Sequence, residues 1–187
     1  MTKKEKLLIT AKKLFGERGY FDTPTALIAK EAGVSNGILF HIFESKEKLI
    51  LAVYKQIKES LFEYTQQQIY KAATLKESVY TLWLATVEFH LEHRDDFLFV
   101  MQFESSPFYQ NQAQESNRYS QLLDELMQKG IENQLFKALP TPYLCELVNA
   151  QIHVAVNYLH RYGQKELKAD YKNQLFEAVW EALLKSK

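Results

Sequence analysis

The sequence predicts an all-α fold of about nine helices, and three observations carry that prediction. Six Gly and four Pro in 187 residues leave little material for the tight turns a β protein needs. Leu, Ala, Glu, Lys and Gln, all good helix formers, abound. Apolar residues recur at i, i+3, i+4 and i+7 spacing in segment after segment. The 47% hydrophobic and 25% charged composition is that of a globular chain. No apolar run approaches the ~18 residues of a membrane helix, so no membrane partner is expected.

The elements follow in order. Leu7, Leu8, Ala11, Leu14 and Phe15 line one face of a first helix that Gly19 stops, while Lys3, Lys4, Lys6, Lys12 and Lys13 crowd its other side. A second, short helix begins at Asp22-Thr23-Pro24, with Thr23 as cap and Pro24 at the first helical position, and ends at Gly33. Ser35 caps a third, from Asn36 to about Phe43. Ser45 caps a fourth, with Glu47 in its positive first turn and no punctuation until about Thr74. Leu75–His93 and Asp95–Phe103 follow, and Ser105-Ser106-Pro107 breaks the chain. Polar residues dominate from there through Asn117; Arg118–Glu132 is the next helix, although Gly130 is placed to end or loosen it. Beyond Pro140-Thr141-Pro142 come Tyr143–Tyr162 and Leu167–Lys185, separated by Gly163. A domain boundary is expected inside the long fourth helix, near residue 50.

Three short helices with a glycine turn between the second and third spell a helix-turn-helix at about residues 24–43, whose last helix enters the DNA major groove. Charge agrees: residues 1–50 hold 9 Lys and Arg against 6 Asp and Glu, whereas the rest of the chain is net acidic. Thr25, Ser35 and His41 can bond phosphates, and Lys46 stands at the start of the next helix for the same purpose. Asn36 can pair with a base edge, Gly37 lets the backbone approach closely, and Leu39 or Phe40 can touch a thymine methyl. The alternative is a small helical bundle with polar caps.

The run Leu14-Phe15-x-x-x-Gly19-Tyr20, followed by Ile28-Ala29-x-x-Ala32-Gly33-Val34-Ser35-x-Gly37-x-Leu39-Phe40-x-x-Phe43-x-Ser45-Lys46-Glu47-x-Leu49, resembles the N-terminal domain of the TetR family of bacterial transcriptional regulators. The resemblance covers about 45 residues. It implies a DNA-binding domain at residues 1–48 and an effector-binding and dimerisation domain at 49–187. It also implies a cytoplasmic bacterial homodimer whose double-stranded operator is released by a small effector. Thr25, Ser35, His41 and Lys46 match backbone-contact positions, and Asn36, Gly37, Leu39 and Phe40 match positions facing the groove. Two departures stand out: Phe40 replaces a usual Tyr, and Ile42 a frequent Tyr or His. Each removes a donor, which shifts weight onto Thr25, His41, Lys46 and Lys48.

Residues 51–187 resemble no nameable domain, yet they hold 20 of the 25 aromatic residues. These can form core and interface or line a pocket for a flat, apolar or aromatic effector. Trp83, Glu88, Phe89, Met101, Phe103, Tyr119, Leu123, Gln151 and Asn157 combine large apolar and polar groups on the middle helices and are the pocket candidates. For the dimer interface the candidates are Leu147, Val148, Ile152, Val156 and Leu159 on one terminal helix and Leu175, Val179 and Leu183 on the other, a pattern suited to an antiparallel four-helix contact. His90, His93 and Asp96 have metal-ligand spacing, but HLEHRDD is also how a polar helix end looks; neither metal nor cofactor is expected. The single Cys145 has no basic neighbour to activate it. No nucleophile with a base, phosphate loop or paired carboxylates stands in a recognisable context, so an enzyme is not expected. A regulator without a small ligand, answering to a protein partner or acting as an activator, is the other reading.

Overall fold

The computed structural model describes residues 1–69, 72–106, 109, 117–162 and 169–185, except the side chains of 169 and 170. These form nine helices: α1 (Lys3–Arg18), α2 (Thr25–Glu31), α3 (Asn36–Phe43), α4 (Lys46–Ile69), α5 (Leu75–Glu92), α6 (Arg94–Glu104), α7 (Arg118–Glu132), α8 (Thr141–Tyr162) and α9 (Ala169–Leu183). Pro107, most of the polar stretch after it (108 and 110–116) and Gly163 lie outside the described residues. The chain divides into two compact units, Met1–Lys58 with His93–Glu115, and Glu59–Glu92 with Ser116–Lys187. This differs from the expected boundary at residues 48 and 49, because α6 belongs with the N-terminal helices.

The first unit is built on α1. Its start is a capping box: Thr2 Oγ1 accepts from the Glu5 amide, and the Glu5 carboxylate accepts from the Thr2 amide. Leu7, Leu8, Ala11, Leu14 and Phe15 are buried, as their spacing requires. Gly19, at φ 79°, ends the helix with its amide donating to the Phe15 carbonyl. Thr23 is not the cap of α2. It is fully buried, its hydroxyl lies 2.7 Å from the Gly19 carbonyl and 3.4 Å from that of Leu14, and Pro24 holds the cap position without a side-chain bond. The hydroxyl thus ties the turn back to α1.

Helix α6 packs on α1. Phe99 stacks on Phe15 with centroids 5.8 Å apart, Asp96 takes the Lys12 ammonium at 3.1 Å, and Gln102 accepts from the Tyr20 amide at 3.1 Å. Gly16 makes the close approach possible: a Cβ there would lie 3.0 Å from the Asp95 backbone. Phe103 sits among Tyr20, Tyr54, Phe99 and Tyr109, all within 6.3 Å between centroids. At its edge Glu104 accepts from the Tyr54 hydroxyl at 2.9 Å and pairs with Lys58 at 2.7 Å. Burial and the Glu104 carboxylate hold the Tyr54 phenol well above its ordinary range, so it stays a donor.

In the second unit α5 packs against α7, α8 and α9. The buried hydroxyls of Thr86 and Tyr119 meet at 3.1 Å, joining α5 to α7. Gly130 neither ends nor loosens α7. It is buried in the last turn, and any Cβ there would collide with the Phe136 ring, which packs edge-on against Trp180 of α9. Phe136 and Leu184 form an isolated antiparallel bridge, flanked by bonds from the Lys137 amide to the Leu183 carbonyl and from the Lys185 amide to the Leu135 carbonyl. Surface ion pairs Lys76–Glu177, Lys172–Glu88 and Arg118–Glu59 join distant segments of this unit.

Candidate nucleic-acid interface

Helix α3 divides its eight residues between the core and the surface. Leu39 and Phe43, four apart, are buried and hold the helix in the unit. Leu39 is therefore a core residue, fully buried, and does not face the groove as expected. Asn36, Gly37, Phe40 and His41 lie on the exposed side. Phe40 is 40% exposed, a large apolar surface to leave in water. Packing does not require glycine at position 37, since a Cβ built there would meet only Ser35 Oγ, at 3.9 Å.

The surrounding turns orient this face. Gly33, at φ 69°, makes the turn between α2 and α3 in a conformation that favours glycine. Ser35 caps α3 by accepting from the Ile38 amide, so its hydroxyl already has a structural partner. Ser45 accepts from the Lys48 amide at the start of α4, and Glu47, hydrogen-bonded by its own amide and by Ser45, has its carboxyl held below the usual range. Lys46 is half-buried and donates to the Phe21 carbonyl at 3.1 Å, which puts its cation on the loop leading into α2. Thr25 is half-exposed at the first position of α2.

Two family models match the chain. That described as "Bacterial regulatory proteins, tetR family" covers residues 7–53, and that described as "Tetracyclin repressor-like, C-terminal domain" covers residues 74–184. The chain belongs to the TetR family. Among TetR-family relatives it is 26% identical to the HTH-type transcriptional repressor KstR2 of Mycolicibacterium smegmatis, over 73% of this chain and 68% of that one. Two curated relatives from Bacillus subtilis are matched over only 38% and 50% of their own length. A TetR-family transcription regulator from Shewanella sp. PV-4 superposes with a TM-score of 0.92 at 26% identity, covering 100% of both chains. FadR of Bacillus subtilis, solved in complex with stearoyl-CoA, shares the fold at 20% identity, with a TM-score of 0.77 over 96% of this chain and 98% of that one. The chain is thus a DNA-binding regulator of the TetR type.

The candidates in the TetR body distribute unevenly. Trp83, Phe89, Tyr119 and Leu123 are buried in the second unit, where Gln151 is half-buried and Asn157 exposed. Glu88 is half-buried and matched by Lys172 at 2.7 Å. Met101 and Phe103 belong to the first unit, where Phe103 is an aromatic core residue. Of the interface candidates, Val148, Ile152, Val156, Leu159, Val179 and Leu183 are buried within the subunit, and Leu147 and Leu175 are half-buried. The six buried residues face the subunit's own core, because α8 must first cover α5 and α7. The opposite face of α8 carries Tyr143, Leu147, Val154, Tyr158 and Tyr162, and Val154 is 63% exposed. Spacings of 4, 7, 4 and 4 along this second stripe were available in the sequence. Among the described residues no group of three or more His, Cys, Asp or Glu could hold a metal. Asp96 is engaged by Lys12, and burial with nearby Asp124 and Glu146 pushes the Cys145 thiol up to about 12, which removes the reactive thiolate at neutral pH.

Proposed function

We propose that the chain is a homodimeric repressor that binds a palindromic operator and is released by a small effector. The observation that carries this is the exposed face of α3, where Asn36, Gly37, Phe40 and His41 are left out of the core while Leu39 and Phe43 hold the helix. Asn36 reads a base, Gly37 lets the helix sit deep, and Phe40 covers a thymine methyl. Thr25, Ser35, His41 and Lys46 contact phosphates; Lys46 exchanges the Phe21 carbonyl for a phosphate oxygen, a stronger charge-assisted partner. The dimer forms through the exposed stripe of α8 with Leu175 beside it, which gives two recognition helices related by a two-fold axis.

Repression is supported by KstR2, which is named a repressor, and ligand response by FadR, which was solved with stearoyl-CoA. In this chain the effector occupies the interior of the second unit and acts through α4, which starts at Lys46 and contributes residues to both units. A ligand that prefers the non-binding conformation by roughly 3 kcal/mol lowers operator affinity about a hundredfold. Titrating labelled operator with protein, with and without effector, tests the proposal. Affinity should fall with effector in the wild type, and an unchanged curve at saturating effector would refute ligand response.

A further inference from the structure

We infer that the effector is a neutral, largely apolar molecule bearing one carbonyl or hydroxyl oxygen, to which the indole N–H of Trp83 donates. The inference rests on the ligand-responsive reading above and specifies its ligand. Helix α5 sets Trp83, Thr86 and His90 at i, i+3 and i+7, on one face, and all three are buried. The Thr86 hydroxyl donates its one hydrogen to the Leu82 carbonyl at 2.8 Å, so Tyr119 is the donor in the 3.1 Å contact with Thr86.

Trp83 differs from both. It is 1% exposed, and its Nε1 has no hydrogen-bond partner. Native proteins leave few such donors, because each gives up its hydration without a partner to replace it. A ligand oxygen that accepts from this N–H restores the lost partner.

The surroundings select against charge. Among the described residues, the buried polar side chains of the second unit are Thr65, Thr86 and His90, with no Asp, Glu, Lys or Arg. Thr65 is already bonded to the Leu61 carbonyl, and Glu88 is neutralised by Lys172. An ionised ligand would lose its hydration without a carboxylate or ammonium to replace it, whereas a neutral oxygen needs only one donor. The Phe176 ring lies 5.9 Å from Trp83, and Phe89, Leu123 and Ile152 are further buried apolar residues of the same unit.

Calorimetric titration of the full-length protein with 2-dodecanone, dodecanoate and dodecyltrimethylammonium compares one chain length in three charge states. The ketone should bind at least tenfold more tightly than either ion. Trp83→Phe should weaken the ketone roughly fivefold to tenfold, the worth of one hydrogen bond. Should that variant fail to fold, the wild type still answers: its Trp83 indole N–H resonance, identified with Trp180→Phe, should shift as ketone is added. Equal or tighter binding of an ion, an unmoved Trp83 resonance or no ketone binding would overturn the inference. It fails separately from ligand response. Operator release by an ion but not the ketone removes only this ligand class, whereas ketone bound at Trp83 with the DNA complex intact removes only ligand response.

Discussion

Gly37 and Leu39 differ by two positions on α3 and answer to different constraints. The Gly37 Cβ position opens to solvent, so Gly37→Ala adds a methyl without a clash and removes a helix-interior glycine, worth up to about 1 kcal/mol of stability. The variant should melt no lower than the wild type yet lose operator affinity at least tenfold; unchanged affinity would show that the backbone does not sit close to DNA. Lys46→Ala should weaken binding to all duplexes alike and flatten the slope of log K against log salt by about 1. A retained slope would show that the Phe21 carbonyl is the permanent partner of Lys46. The Ser35 cap and the start of α3 at Asn36 were legible through capping chemistry and the glycine turn before them. Leu39 was not legible as core, because in an eight-residue helix the choice of buried face depends on the elements packed beneath it.

At the scale of elements, local punctuation was legible and long-range packing was not. The bounds of α3 and α7 match the expected ones, because Ser35 and Asn117 accept from the Ile38 and Ser120 amides at the starts of these helices. Gly130 illustrates the opposite case: its role is set by Phe136, whose ring closes over the helix after the turn at Asn133. Gly130→Ala should therefore destabilise by about 1–3 kcal/mol, the cost of overpacking, read as a lower urea midpoint. An unchanged midpoint would mean that Phe136 can move aside. Helix α8 carries two apolar faces, and periodicity alone does not say which turns inward. Val156→Glu should unfold the subunit, whereas Val154→Glu should leave a folded monomer in sedimentation with operator binding lost. A Val154→Glu dimer with wild-type affinity would move the interface elsewhere.

For the whole molecule, the all-α class and a DNA-binding N-terminus could be read from composition, periodicity and one dense motif. The grouping of α6 with the N-terminal helices could not, since Lys12–Asp96 and Tyr20–Gln102 join residues more than eighty positions apart. For the same reason, residue type and helical spacing alone group Met101 and Phe103 with aromatics of the other unit. Phe103→Ala should accordingly cost about 3–5 kcal/mol of stability rather than act on ligand response alone. The central claim is that two copies read a two-fold operator through the exposed face of α3. Binding-site selection from random duplexes tests it most directly, run in parallel on the wild type and Asn36→Ala. The wild type should enrich a palindrome whose half-sites are one helical turn apart, about 34–36 Å, or a multiple of it. Asn36→Ala should relax preference at one base pair per half-site, a loss of about 1–3 kcal/mol of discrimination. No enriched palindrome, or an identical one from Asn36→Ala, would contradict the account.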